Sequence, residues 1–379
     1  MSARGDQSPP IPPSLLARLK DKRVLICVGA GGVGKTTTSA ALALGLAARG
    51  RKVAVVTIDP AKRLASALGL ARLSDEPSRI DPQAFAAQGV EMAGELWAMM
   101  LDAKRTLDEI VTRLEPDATA REEILANPVY RELSGAVAGS HELSAIAKLY
   151  ELHEEHDFDV IVLDTPPSRN ALDFLNAPTR LLGFLEGRAL QVFLAPSGLT
   201  ARLFGRGTGL VFAIFARVTG IDMLSDLSTF FRSLVGVIDG FGERTRGVAQ
   251  LMRDPTSAFL IVTSPETEPA EEAVFLAERL DSLGMQRAGV IINRMHLDGL
   301  GDHTTEQVGA LLGKQLGESL ASRVARNLAD FDVFVQRDRA TVARLSGLLH
   351  ERRPILVPHL DEEVQDLHGL ARIAEHLLG

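Results

Sequence analysis

The sequence predicts an α/β fold, a doubly wound and mostly parallel sheet flanked by helices and carrying helical insertions. Three observations predict it. Short apolar runs recur along the chain, stretches with helical periodicity lie between and after them, and a glycine-rich loop joins the first run to the first helix. Runs that are apolar without alternation belong to strands covered on both faces, as in a parallel sheet between two helical layers.

Residues 1–20 read as a flexible, proline-rich tail closing on a short helical pattern at Leu15–Leu19. The Arg4-Gly5-Asp6 triplet in it is read as a chance match to an adhesion motif. Regular structure is expected from Val24. Val24–Val28 is the first buried strand, and Thr36–Ala48 is an Ala/Leu-rich helix stopped at Gly50. Val53–Ile58, Asp159–Leu163, Ala258–Thr263, Gly289–Ile292 and Ile355–Val357 are read as further strands, with helical patterns at Ala270–Leu283 and Val364–Leu378. Two regions break the alternation and are read as wholly helical insertions, about 83–157 and about 178–255. The second is greasy, since eight of the fifteen phenylalanines fall in 181–245.

Composition narrows the function classes. With 379 residues, 46% hydrophobic and 24% charged, the chain can bury a large core and is not a disordered one. Lys plus Arg number 41 against 49 for Asp plus Glu, a net charge of −8, which argues against nucleic acid as a partner. Cys27 is the single cysteine, so no intrachain disulfide and no multi-cysteine metal cage forms within one subunit. The longest stretches free of Asp, Glu, Lys and Arg are 13 residues, 36–48 and 189–201. A spanning helix needs roughly 18. No apolar signal core opens the sequence, and a cytoplasmic protein is expected.

The chemistry starts at Gly29-Ala30-Gly31-Gly32-Val33-Gly34-Lys35-Thr36, which satisfies G-x-x-x-x-G-K-[ST] between an expected strand and an expected helix. Glycines let main-chain N–H groups curl around phosphate oxygens, and the following helix, with Thr37 in its first turn, points its positive end at them. Lys35 is placed to reach the β and γ phosphates and the Thr36 hydroxyl to ligate Mg2+, so a nucleotide with Mg2+ is the expected ligand. Thr57-Ile58-Asp59-Pro60-Ala61 ends the second strand and Asp164-Thr165-Pro166-Pro167 ends the third. Carboxylates at the carboxyl ends of neighbouring parallel strands face one crevice, where one orients water and the other holds the metal shell.

These residues resemble a family. The order Gly-x-Gly-Gly-Val-Gly-Lys-Thr, Asp-Pro-Ala, Asp-Thr-x-Pro is similar to the anion-transporting ATPases, which include the arsenite-pump ATPase and the ATPase of the guided entry of tail-anchored proteins. They sit within the deviant-Walker (SIMIBI) class of P-loop ATPases. The resemblance implies that Asp59 is the switch I aspartate that positions the hydrolytic water and belongs with Thr36 and Asp164 to the metal set. By it Asp164 opens switch II, Asn293 in Ile-Ile-Asn-Arg reads adenine, and Glu266 and Pro358 are further nucleotide-pocket positions. The closing Pro358-His359-Leu360-Asp361-Glu362-Glu363-Val364 with Leu367, Gly369 and Leu370 is similar to the family's C-terminal segment. Residues 21–379 are then one P-loop ATPase domain, and 178–255 is a candidate client-binding subdomain.

Three departures qualify the likeness. Ala30 stands where the family's signature lysine crosses to the partner subunit, with Lys62, Arg63 or Arg169 as alternative cations. No Cys-x-x-Cys occurs, so neither the dimer-stapling zinc nor the arsenite-binding cysteines are expected. The chain carries one phosphate loop where the arsenite-pump enzyme has two ATPase halves, which implies a homodimer or a heterodimer with a paralogue. The function read from all this is a Mg2+-dependent ATPase whose hydrolysis switches a dimer handling an apolar helix client or membrane-protein partner. A small-molecule phosphotransferase and a nucleotide-gated chaperone with little hydrolysis stand as alternatives, and a partition role as a third. Other clusters carry bland readings. His153-Glu154-Glu155-His156 lacks zincin spacing and reads as a solvated helix end, His141-Glu142 as packing, Cys27 as a buried hydrophobe, and Trp97 with Met92, Met99 and Met100 as helix core.

Overall fold

The computed structural model describes residues 14–58, 63–127, 130–131, 140–165, 175–176, 183, 235–297, 301, 303–360, 364 and 366–379. Within them, β1 (Val24–Val28), β2 (Lys52–Thr57), β5 (Val160–Asp164), β6 (Ser257–Thr263), β7 (Arg287–Met295) and β8 (Ile355–Pro358) sit where apolar runs predict strands. The sheet order is β3-β4-β2-β5-β1-β6-β7-β8, with every pairing parallel except β3 (Ser78–Arg79) against β4 (Glu95–Met100).

β1 explains why the central strands read as unbroken apolar runs. Leu25 and Cys27 enter the core on one face, and Val24, Ile26 and Val28 enter the core on the other. Both faces are dry, so alternation carries no advantage. The first face is closed by α1 (Leu15–Arg18), α2 (Lys35–Ala48) and α12 (Leu367–Leu378), the second by α7 (Ser140–Glu155), α8 (Val235–Leu251), α9 (Thr267–Ser282) and the C-terminal part of α11 (Glu318–Leu348). α3 (Arg63–Ala67) and α4 (Pro82–Ala87) add to the first face, while α5 (Ala103–Leu114) and α6 (Ala118–Ala126) pack beyond α7, and α10 (Thr305–Leu316) lies against α11.

Two expectations are corrected here. The stretch 83–157 is not wholly helical, because β4 runs through it and pairs with β2 from Lys52↔Glu95 to Thr57↔Met100. Trp97, Met99 and Met100 therefore lie on a strand, with the Trp97 ring edge-on to Phe158 at 5.9 Å and its Nε1 donating to Glu95 at 3.0 Å. Leu, Ala and Met favour helices in isolation, but an open sheet edge and a core to cover outweigh that preference. The tail also ends earlier than residue 20. Ser14 caps α1, Leu15 and Leu19 are buried in the core, and Arg18 pairs with Glu351 at 3.1 Å. The burial of two leucines and an ion pair offsets part of the ordering cost of these six residues. Of the phenylalanine-rich segment, Phe184, Phe193, Phe212, Phe215, Phe230 and Phe231 lie outside the described residues.

The remaining clusters are placed as follows. His153 ends α7 3.9 Å from Glu154, and the His156 ring stacks on Phe158 at 5.6 Å. Among the described residues no helix is long and apolar enough to cross a membrane.

Candidate functional site

The carboxyl ends of β1, β2 and β5 bring the central residues together by register. Asp164, the last residue of β5, lies beside Cys27 of β1 and Thr57 of β2. Its Oδ2 accepts from the Thr36 hydroxyl at 2.7 Å and from the Thr57 hydroxyl at 2.8 Å, with the residue 1% exposed. A buried carboxylate with two hydroxyl donors is held in one orientation. The two expected metal ligands, Thr36 and Asp164, are thus already in contact. Next to them the Thr165 hydroxyl donates to the Cys27 carbonyl at 2.7 Å, fixing the first residue after the strand.

The loop itself rises from β1 and turns into α2. An added Cβ at Gly29 would meet the Val262 carbonyl oxygen of β6 at 1.9 Å, so only glycine lets the loop leave β1 this close to its neighbour. Gly34 is the N-cap of α2 in the left-handed region, φ +91°, and no side chain caps the helix. The first-turn N–H groups of Lys35, Thr36 and Thr37 are therefore not taken up by a capping side chain. Lys35 folds back across the loop, its ammonium donating to the carbonyls of Gly29 at 3.0 Å and Ala30 at 2.7 Å. Burial pushes its pKa below the usual lysine range; the charges of Asp164 and Glu272 pull it back up, and Arg63 pushes it down again. Gly31 and Gly32 are exposed at the tip, while Val33 is buried beneath.

Asn293 joins the loop from β7. It is buried, and its Nδ2 donates to the Val33 carbonyl at 2.9 Å. Glu266 and Pro358 lie at the carboxyl end of the same sheet edge, after β6 and at the end of β8. Glu266 accepts from the Ser264 hydroxyl at 2.5 Å, and Pro358 stands opposite Met295. Asp59, Lys62 and Arg169 lie outside the described residues.

Two groups escaped the sequence reading, Thr57 and Glu272. Thr57 had a signal, a hydroxyl closing an otherwise apolar strand two residues before Asp59. Glu272 had none, because it comes from α9, more than two hundred residues along the chain, whereas Arg63, offered by the sequence as a candidate cation, is felt at Lys35.

These residues fit a nucleotide with a divalent cation. A cradle that a Cβ would fill, an uncapped helix start, a buried ammonium and a hydroxyl–carboxylate pair of hard oxygen donors are what a polyphosphate and Mg2+ require.

The sequence model of the anion-transporting ATPase family matches residues 22–311. Among curated proteins, the chain is 27% identical over 293 residues to "ATPase GET3" of Malassezia globosa, covering 76% of this chain and 77% of that protein. It is 27% identical over 363 residues to "ATPase ARSA2" of Chlamydomonas reinhardtii, covering 95% and 85%. It is 25% identical over 373 residues to a "Putative arsenical pump-driving ATPase" of Halobacterium salinarum, where it spans 95% of itself and 46% of the relative.

Proposed function

The chain belongs to the anion-transporting ATPase family and is an ATP hydrolase of the P-loop type, and from that premise we propose that Mg2+-dependent turnover at Gly29–Thr37 switches a dimer that handles an apolar helix or membrane-protein client. The observation that carries the catalytic half is the contact of Thr36 with Asp164 beside the buried Lys35. Thr36 and Asp164, with Asp59, would hold Mg2+, which supplies charge neutralisation to the phosphate oxygens when bound.

The chain's own residues do the rest. Lys35 exchanges the carbonyls of Gly29 and Ala30 for phosphate oxygens, bringing a point charge to the group that gains negative charge during transfer. The loop N–H groups from Gly31 to Thr37 cradle the phosphates, and Asp59 orients the attacking water. Asn293 reads the base, with Glu266 and Pro358 bordering its pocket. Ala30 carries no cation to a partner subunit, and Lys62, Arg63 or Arg169 would supply one in its place.

The dimer and the client rest on similarity: relatives carry the names ATPase GET3 and putative arsenical pump-driving ATPase, and this chain spans 46% of the latter. Residues 178–255 are the proposed client-binding subdomain of one ATPase domain, 21–379, acting in the cytoplasm. The test is light scattering of the purified protein with ADP, ATP and a nonhydrolysable analogue, alongside phosphate release with and without Mg2+. Expected are a dimer that changes with the nucleotide and phosphate release that needs Mg2+. One mass in all nucleotides refutes the switching dimer, and metal-independent release refutes the Mg2+ role. Lys35→Ala should lose most ATP affinity by calorimetry.

A further inference from the structure

β7 ends in an irregularity that aims Asn293. Ile292 pairs with Leu356 and Met295 with Pro358, so Asn293 and Arg294 together face the single residue Val357. This is a bulge, a device that redirects a side chain at the rim of a sheet. Arg294 takes φ 62°, a left-handed conformation unfavourable for a residue with a Cβ. Such strain persists only where its surroundings hold it.

What holds it lies immediately downstream. The Met295 carbonyl accepts from the main-chain N–H of His359 at 2.8 Å. His296 then donates twice to one oxygen of Asp338, from its main-chain N–H at 3.0 Å and from Nδ1 at 2.7 Å. A carboxylate only accepts, so the Nδ1 position carries the proton. The other Asp338 oxygen accepts from Arg337 Nε at 3.3 Å and Nη2 at 3.1 Å. The Asp338 side chain is fully buried. The His296 ring is clamped as well, stacked on Phe334 at 5.4 Å and on His359 at 6.0 Å, and edge-on to Phe331 at 5.1 Å. Each of these partners comes from α11 or from the residue after β8. A chain pinned at Asn293 by the Val33 carbonyl and at His296 by Asp338 leaves the two residues between no room to relax.

We propose that the Asp338–His296 pair is a positioning device for base discrimination: it anchors the Asn293–Arg294 bulge and so keeps the Asn293 amide at the phosphate loop. The inference rests on reading Asn293 as the base contact. It assigns His296 and Asp338 no contact with nucleotide and no role in phosphate chemistry.

The experiment measures ATP and GTP affinities by calorimetry for wild type, Asn293→Ala, His296→Ala, Asp338→Asn and the double variant His296→Ala/Arg294→Gly. Asn293→Ala should narrow the ATP-to-GTP ratio about tenfold, the worth of one base hydrogen bond. His296→Ala should narrow it in the same direction, roughly threefold or more, and Asp338→Asn likewise. Adding Arg294→Gly should restore most of the ratio, because glycine holds φ 62° without an anchor. A merely structural role would weaken both nucleotides equally and show no rescue, and that result overturns the proposal. If Asp338→Asn does not fold, His296→Ala decides, since its ring is partly solvent-exposed and Arg337 still pairs the carboxylate. An unchanged ratio in Asn293→Ala overturns the base reading itself, and the positioning role with it. A narrowed ratio in Asn293→Ala with an unchanged one in His296→Ala overturns the positioning role alone.

Discussion

Gly34→Ala is the substitution whose cost the geometry specifies most fully. The new Cβ would sit 2.3 Å from Asn293 Nδ2 on a backbone at φ +91°. Holding an L-residue in the left-handed region costs roughly 1–2 kcal/mol. The Asn293 amide must also swing away, which forfeits its 2.9 Å bond to the Val33 carbonyl, roughly 1 kcal/mol net. Alanine returns about 0.4–1 kcal/mol by restricting the unfolded chain. The balance is a destabilisation of about 2 kcal/mol. At about 2.1 cal/mol/K per residue over 379 residues, a cooperative transition would drop by about 2–3 °C. ATP affinity should fall more than tenfold, because the shifted residues are the helix start and the amide that meet the nucleotide. The assay pairs calorimetric melting with ATP titration for Gly34→Ala, Asn293→Ala and the double variant. If the clash is real, the two changes are non-additive: with Asn293 gone, Gly34→Ala should cost only its backbone strain. Strict additivity, or a Gly34→Ala protein that melts and binds as wild type, refutes the reasoning.

Three further outcomes are expected. Asp164→Asn should weaken metal-dependent ATP binding by about 10–100-fold while metal-free nucleotide binding persists, since the amide can no longer accept from Thr36 and Thr57 as a charged group; titration with and without Mg2+ reads the difference. Asp59→Asn should keep nucleotide affinity while phosphate release falls by about 10²–10⁴-fold, and unchanged turnover would move the water-orienting role to another group. Cys27 is fully buried, and burial, with the Asp164 charge adding to it, pushes its thiol up to about 12. The folded-state value lies above the unfolded one, so the neutral thiol contributes stability that is intact below about pH 9 and lost as pH rises toward 12. Alkylation of the folded protein at pH 8 should be about a thousandfold slower than for an ordinary thiol, and Cys27→Ala should flatten the loss of urea resistance between pH 9 and 11.

Features that are local in sequence were legible from it. The phosphate loop is one contiguous motif, because its job is to wrap main-chain N–H groups around an anion, and its conformation depends on glycines within eight residues of each other. The central strands β1, β2, β5, β6 and β7 announced themselves because both of their faces are dry and their inner positions are apolar. β4 did not. Glu95-Leu96-Trp97-Ala98-Met99-Met100 has no β-branched residue, and only the open edge of β2 and the Phe158 ring make it a strand. The tail boundary moved for the same reason, since Leu15 and Leu19 are core residues only once β7 and α12 are there to receive them.

The site divides along the same line. Residue types and spacing nominated Lys35, Thr36 and Asp164, since few side chains bring a charge, a hydroxyl and a carboxylate to a triphosphate, while Asn293 was nominated by the family resemblance alone. Tertiary structure alone decided how they are held. Register sets Asp164 between Cys27 and Thr57, chain separation hides Glu272 from any motif, and a carboxylate in a different element, 42 residues further along the chain, pins His296. Sequence spells out the groups a reaction needs, while the fields and anchors acting on them come from pairs far apart in the chain. Those pairs meet only because burying the two faces of one sheet leaves the helices a single arrangement.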